Sequence, residues 1–277
     1  MKVILDVNAI SSPLTGIGRY TKELMNGLVS SERLDDVKLY ARGGFHNHSD
    51  IINNSQELKY DFRRRLPFKN VIRWGYKQVN DRRFQYLSRK FPDYIYHAPS
   101  YMMMPFVGKS VVTIHDLSFL RFPEFHPRDR ALFWKREIHK VTMHADQIIT
   151  DSEFQRNEII ELLNVEPEKV TSIHLGVEPR FRSYSEVESS IVLSKYGLKY
   201  QAYSLVVATI EPRKNFLRLL QAFENLPKSL REQFPLALVG DIGWKSENIH
   251  KRITKLIDKK EAICLGYVDD GDLPLLY

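Results

Sequence analysis

Short apolar, β-branched runs alternate with amphipathic helical patterns along nearly the whole chain, and this alternation narrows the fold more than any single residue does. Residues 2–7 (KVILDV) form a strand-like run, followed by a segment in which Ile17, Tyr20, Leu24 and Leu28 recur at three- and four-residue spacing. Further strands are predicted at 37–41, 94–98, 110–116, 147–152 and 170–176, with helical patterns over 128–144 and 153–163. Between 41 and the next helical stretch lies a polar loop rich in Gly, Asn and His, and that stretch carries Phe68, Val71, Ile72, Tyr76 and Val79 on one face. Strands that alternate with helices must pair in parallel through crossover connections, which predicts a doubly wound α/β domain.

The alternation is interrupted once. From 182 to 203 the sequence turns polar around a Ser/Glu cluster with a short helix at 191–196, and then it restarts. Strands at 203–210, 235–241 and 262–268 are separated by helices at 215–224 and 246–259, which is one βαβαβ half of a mononucleotide-binding domain. A length of 277 residues accommodates two domains, divided here as 1–184 and 185–277. Only the six residues 272–277 of the next helical pattern remain, so the second domain is expected to be incomplete and the chain a fragment.

Composition excludes several classes. Asp6 cuts the apolar start, which is too short and polar to read as a signal peptide, so none is expected, and no run approaches the roughly 20 apolar residues of a membrane span. The single cysteine, Cys264, cannot form an internal disulfide, and its strand-like surroundings predict an inert core thiol in a reducing, cytoplasmic compartment. The net charge of +7 is concentrated: residues 59–90 hold eleven Lys or Arg against two Asp, a local +9, so the remainder stands at −2.

Three stretches can carry chemistry. Gly16 and Gly18 lie in TGIGRY between the first strand and helix, where glycines admit a ligand to the backbone and a helix N-terminus attracts an anion. Lacking the third glycine of the dinucleotide fingerprint, this segment is equally well an ordinary strand-to-helix turn. His115 and Asp116 end the strand at 110–116, where open α/β sheets place their ligands. An imidazole there can donate to a sugar hydroxyl and a carboxylate can accept from one, while the structural alternative is a satisfied histidine beside an Asp cap. Arg213 and Lys214, in VVATIEPRKN, stand at the start of a helix, where cations oppose the helix dipole and are poorly explained as caps. A planar Arg fork and a Lys point charge suit phosphate oxygens.

Weaker signals are set aside. DGD at 270–272 is read as an N-cap acid rather than a metal site, HNH at 46–48 lacks acidic or Cys partners, and Met102, Met103 and Met104 are read as packing. No metal ligand set is predicted.

The order of TGIGRYTKEL, TIHDLSF, ITDSEFQRNEI, SIHLGVE, ATIEPRKNFLRLLQAF, LVGDIGW and LGYVDDGDLPLLY resembles retaining, metal-independent glycosyltransferases of the GT-B fold, family four. The likeness extends over the whole chain and is strongest to the mannosyl- and rhamnosyltransferase branch of surface-polysaccharide assembly. It implies two Rossmann-like domains, a nucleotide-sugar donor, no cofactor, and a glycan or lipid-linked acceptor. It also implies roles: Gly16 and Gly18 approach the donor, His115, with Asp116, serves the catalytic centre and faces the donor sugar, Arg213 and Lys214 hold the diphosphate, and Gly240, Tyr267 and Val268 line the nucleobase pocket. The family's E-x7-E segment, expected after DLPLLY, has no counterpart here, which leaves a non-catalytic nucleotide-binding remnant as the competing reading. A nucleotide-sugar epimerase is disfavoured for want of the expected acid and base groups. The basic stretch 59–90 suits a peripheral contact with anionic lipid or a solvated face, and no nucleic-acid recognition module accompanies it.

Overall fold

A computed structural model describes residues 1–11, 14–54 and 69–277. In chain order the first part comprises β1 (Lys2–Asp6), α1 (Gly16–Val29), β2 (Asp36–Ala41), β3 (Gly44–His46), α2 (His48–Asn54), α3 (Lys69–Ser88), β4 (Ile95–Ala98) and β5 (Lys109–Thr113). It continues through α4 (Ser118–Arg121), α5 (Arg128–His144), β6 (Gln147–Thr150), α6 (Glu153–Leu163) and β7 (Val170–Ser172). The second part comprises α7 (Glu186–Lys195), β8 (Ser204–Val207), α8 (Phe216–Glu224), α9 (Lys228–Gln233), β9 (Leu236–Val239), α10 (Glu247–Asp258) and β10 (Ala262–Gly266).

The chain divides into two compact units, 1–117 with 136–174, and 118–135 with 175–277. In the first, the strands form one sheet in the order β3-β2-β1-β4-β5-β6-β7, parallel except for the β2–β3 pair. Strand order reverses between β1 and β4, which puts the sheet's topological switch point beside the first strand. Val3, Ile4 and Leu5 are buried in this central strand, as expected where helices cover both sheet faces. From α1, Met25 closes one part of the core, and from α3 the buried Phe84 ring lies 4.7 Å from both Tyr40 and Tyr96. Of the apolar residues assigned to one face of α3, Phe68 lies outside the described residues, as do the side chains of Val71, Ile72 and Tyr76, and Val79 is exposed.

The second unit holds a parallel sheet in the order β10-β9-β8. Leu236, Ala237, Leu238 and Val239 of its middle strand are all buried. Phe216, Leu220 and Phe223 of α8, with Ile249, Ile253 and Leu256 of α10, pack on one face, and both triplets follow helical spacing.

Four local expectations are corrected. The polar segment after β2 is a hairpin: Arg42 and Gly43 take φ of 52° and 79°, a two-residue turn that lets β3 return antiparallel with Tyr40 opposite Phe45. The short helix before β8 starts at Glu186 instead of 191, because Ser185 and Glu188 form a capping box. Cys264 is exposed on β10, an edge strand, and is not a core thiol. Asp272 makes no capping bond: it receives Lys195 Nζ and the Tyr196 hydroxyl, while Asp270 pairs with Arg180. These acids pin the 3-10 turn Leu273–Leu276, in which Pro274 and Leu276 are buried.

Asp6, at the carboxyl end of β1, is buried and accepts from the Asn8 backbone and side-chain amides. Burial pushes its carboxyl up to about 6, opposed by the Asn8 bonds and reinforced by the charge of Asp81. The folded state thus holds this proton more tightly than the unfolded chain, where the pKa is about 3.9. Its contribution to stability is present below about pH 4 and is lost as pH rises to about 6. Asp6→Asn is expected to match the wild type in denaturant unfolding at pH 4 and to exceed it at pH 7 by up to about 3 kcal/mol, the equivalent of a two-unit shift. Equal stability at pH 7 would contradict this.

Candidate functional site

In the first unit the residues of interest gather at the carboxyl ends of β1, β5 and β6. Thr15 caps α1, its hydroxyl accepting from the Gly18 amide at 3.1 Å, so that amide serves the cap. A Cβ on Gly18 would stand 2.8 Å from the Ala9 carbonyl oxygen, which explains the glycine by close packing, whereas Gly16 faces open space. One turn on, Tyr20 meets the His115 ring edge to face at 4.8 Å, and its hydroxyl is 3.1 Å from Thr113 Oγ1. The α1 turn and the β5 terminus are therefore brought together through Tyr20.

His115 is held at both ring nitrogens. Nδ1 lies 2.9 Å from Asp151 Oδ2 and Nε2 lies 3.0 Å from the Pro99 carbonyl oxygen. Asp151 follows β6, the neighbour of β5, and it orients the imidazole as a carboxylate partner does in other histidine sites. Behind it, the buried His97 lies 2.9 Å from Thr113 Oγ1. Burial, with the nearby His115, lowers His97 to about 4 and keeps it neutral at physiological pH. Asp116 is half-buried immediately after His115. Asp151, Thr113 and His97 were not singled out in the sequence; the available signal was that Thr113 ends β5 itself, while His97 and Asp151 lie at the ends of its neighbours β4 and β6.

In the second unit, Arg213 and Lys214 lie in a 3-10 turn, Pro212–Lys214, that follows β8. Pro212 suits the first position of that turn, and Asn215 ends it at φ 58°, a left-handed conformation that Asn tolerates. Glu211, 1% exposed, takes Arg213 Nε at 3.0 Å and Nη2 at 2.9 Å on its Oε1. A buried carboxylate paired with a half-buried guanidinium fixes the direction of the Arg head, and removing either partner would leave a charge with little solvation. Lys214 is exposed beside it.

Gly240 ends β9 and joins the three strand termini. Its amide donates to the Gly266 carbonyl at 2.8 Å, next to the half-exposed Tyr267, and the Ala208 amide donates to Val239. Gly240 has φ 133°, and a Cβ there would lie 2.2 Å from the Ala208 carbonyl oxygen. No other residue fits without moving the β8 loop. Beyond the strands, Ile210 bridges Ile242, so the loops after β8 and β9 run together. Arg213, Lys214, Gly240 and Tyr267 are thus grouped at one edge of this sheet. Val268, by contrast, is buried in a cluster with Leu193, Leu198, Ala237 and Val239. Among the described residues no three His, Cys, Asp or Glu side chains converge on a metal position.

Gly240→Ala is expected to lower the unfolding free energy by about 3 kcal/mol or more, combining the clash with backbone strain. A denaturation midpoint unchanged from wild type would refute the close approach.

Comparison with protein families matches residues 14–181 to Glycosyltransferase Family 4 and residues 194–277 to Glycosyl transferases group 1. Over 284 aligned residues the chain is 34% identical to the O-antigen chain mannosyltransferase B of Escherichia coli, covering all of this chain and 74% of that relative. It is 25% identical to the serotype-specific mannosyltransferase WbdA of Escherichia coli, covering all of this chain and 36% of WbdA. In structure it resembles Anabaena Alr3699/HepE, solved in complex with UDP-glucose, with a TM-score of 0.65 at 17% identity over all of this chain and 71% of that one. These solved neighbours share the GT-B α/β architecture expected from the sequence.

Proposed function

The chain belongs to glycosyltransferase family 4, and from that membership we propose that it transfers mannose from a nucleotide-sugar donor to a glycan or lipid-linked acceptor of surface polysaccharide, with retention at the anomeric carbon. The observation that carries the donor assignment is the Arg213 head fixed by buried Glu211 at the carboxyl edge of the second sheet, beside Lys214, Gly240 and Tyr267. The mannose assignment is supported by the relatives' names, which describe mannosyltransferases.

In this reading the donor diphosphate meets Arg213 and Lys214. As the glycosidic bond breaks, negative charge grows on the departing phosphate oxygen, and two preset cations stabilise it without reorganising. They fill the part that a divalent ion fills in metal-dependent transferases, so the reaction needs no metal. The base stacks near the half-exposed Tyr267 after β10, with Gly240 allowing the backbone approach, while Val268, buried in the core behind it, supports that loop without lining the pocket. From the first unit, His115 and Asp116 are assigned to the donor sugar, His115 by exchanging the Pro99 carbonyl at Nε2 for a sugar hydroxyl while Asp151 keeps Nδ1, and the Gly16 to Gly18 turn to the donor.

Release of nucleoside diphosphate from a panel of nucleotide sugars tests this, with nucleotide-activated mannose expected to be turned over fastest. Arg213→Ala is expected to lower kcat/KM by about 100-fold or more, the size typical of losing one charge-stabilising donor. Turnover of no donor by the wild-type chain would favour the non-catalytic nucleotide-binding alternative.

We also assign the exposed side of α3 to an anionic membrane surface. Val79 and Tyr86 are 67% and 68% exposed, one heptad apart, and Arg82, Arg83, Arg89 and Lys90 are exposed around them. Apolar groups interleaved with cations suit the interface of a bilayer that presents a lipid-linked acceptor. Among the described residues no helix is long and apolar enough to cross a membrane. Arg63, Arg64 and Arg65, which belong to the same basic stretch, lie outside the described residues. Reversing Arg82, Arg89 and Lys90 to Glu should weaken flotation with phosphatidylserine vesicles by about 100-fold, at about 1 kcal/mol per lost cation. Unchanged flotation would remove the assignment.

A further inference from the structure

The segment 118–135 follows β5 in sequence yet packs as part of the second unit. It is stiffened by α4, by the 3-10 turn Pro123–Phe125, and by Pro127. His126 is buried at its centre, with Nε2 3.0 Å from Ser118 Oγ, and Phe122 stacks on Phe125. The end of the 3-10 turn presents two backbone carbonyls. Trp244 Nε1 donates to that of Phe125 at 2.7 Å, and Lys245 Nζ donates to that of Glu124 at 2.7 Å. The Arg130 guanidinium lies 5.0 Å from the indole centroid, a cation–π contact that adds to the grip.

Trp244 and Lys245 belong to the loop that runs from Gly240 to Ser246. None of Asp241, Ile242, Gly243, Trp244 or Lys245 is buried, so the hydrophobic core does not set this loop's shape. Polar ties do. On its inner side the Gly243 amide donates to the Ile210 carbonyl at 2.9 Å and the Ile210 amide donates to the Asp241 carbonyl at 2.9 Å. A Cβ on Gly243 would stand 3.0 Å from Glu211 Cβ, so the loop presses on the residue that holds Arg213. The chain of contacts therefore runs from the carbonyls of Glu124 and Phe125, through Trp244, Lys245 and Gly243, to Ile210, Glu211 and the Arg213 head.

We propose that Trp244 is a positioning residue: by anchoring the Gly240–Ser246 loop to the Phe125 carbonyl, it holds Glu211 and Arg213 in the geometry that binds a diphosphate. The ligand half of this rests on the donor reading above; the mechanical half does not. A loop with few buried groups opens easily when one of its polar ties is cut. Trp244 would act on ligand affinity through Arg213 without touching the ligand.

The test compares wild type with Trp244→Phe, which keeps an aromatic ring and removes the N–H, with Lys245→Met, and with Trp134→Phe as a control on the same segment. Amide hydrogen exchange at Ile210 and Gly243 and the affinity for inorganic pyrophosphate are measured on each, together with the donor KM and kcat. For Trp244→Phe, exchange at both amides is expected to rise about tenfold, pyrophosphate affinity to fall about tenfold, and donor KM to rise in parallel with kcat within about threefold. Lys245→Met should move the same quantities in the same direction, and Trp134→Phe should move none. Unchanged exchange in Trp244→Phe would overturn the proposal, as would faster exchange with pyrophosphate affinity at the wild-type value. If the wild type binds no pyrophosphate, the donor reading fails and the ligand half fails with it, while the exchange rates still decide whether Trp244 anchors the loop.

Discussion

Parallel strands cannot be joined by tight turns, so apart from the β2–β3 hairpin the strands within each sheet are connected by crossovers, and these strands open at their carboxyl ends into loops. That constraint orders the rest of the molecule. It produces the two sheets β3-β2-β1-β4-β5-β6-β7 and β10-β9-β8, leaves the strand interiors to apolar packing, and confines polar side chains with functional potential to one edge of each sheet. His115 with Asp151 occupies that edge in the first unit, and Arg213 with Glu211 occupies it in the second. The only antiparallel pair among the described strands, β2 with β3, lies at a sheet margin, away from these groups.

At both edges a carboxylate directs a nitrogenous group. Asp151 lies across from His115 on the neighbouring strand end, and its ring partner on the other side is a backbone carbonyl. Glu211 stands two residues before Arg213 on the same loop, almost fully buried. Both pairings hold the cationic or donor group in place before any ligand arrives. Such preorganisation is what distinguishes a site from a surface charge, because a flexible Arg would lose side-chain freedom on binding.

The fold was largely legible in the sequence because parallel strands and their covering helices carry strong periodic signals. The apolar spacing that marks α8 and α10 is the spacing of their buried faces. The antiparallel return of β3 was not legible, since its three residues are too few to show alternation and its turn depends on left-handed Arg42 and Gly43. Cys264 sits in an apolar run but on an edge strand, and sequence pattern does not say which strand is an edge. Arg213 and Lys214 were conspicuous as cations at a helix start. Their support was not: Glu211 is adjacent but its burial is a tertiary fact, and Asp151 and Trp244 lie far along the chain from the groups they contact. The packing of 118–135 with the second unit is likewise invisible to local pattern, because it continues directly from a strand of the first.

The donor site stands on recognition of a diphosphate by the Glu211-directed Arg213 of the second unit. Titration calorimetry with paired nucleoside diphosphates and monophosphates of each base measures it most directly. For the preferred base the diphosphate should bind at least about tenfold tighter, since one added charge-assisted contact contributes about 1.5 kcal/mol or more. Equal affinity for the two, with every base, would contradict it.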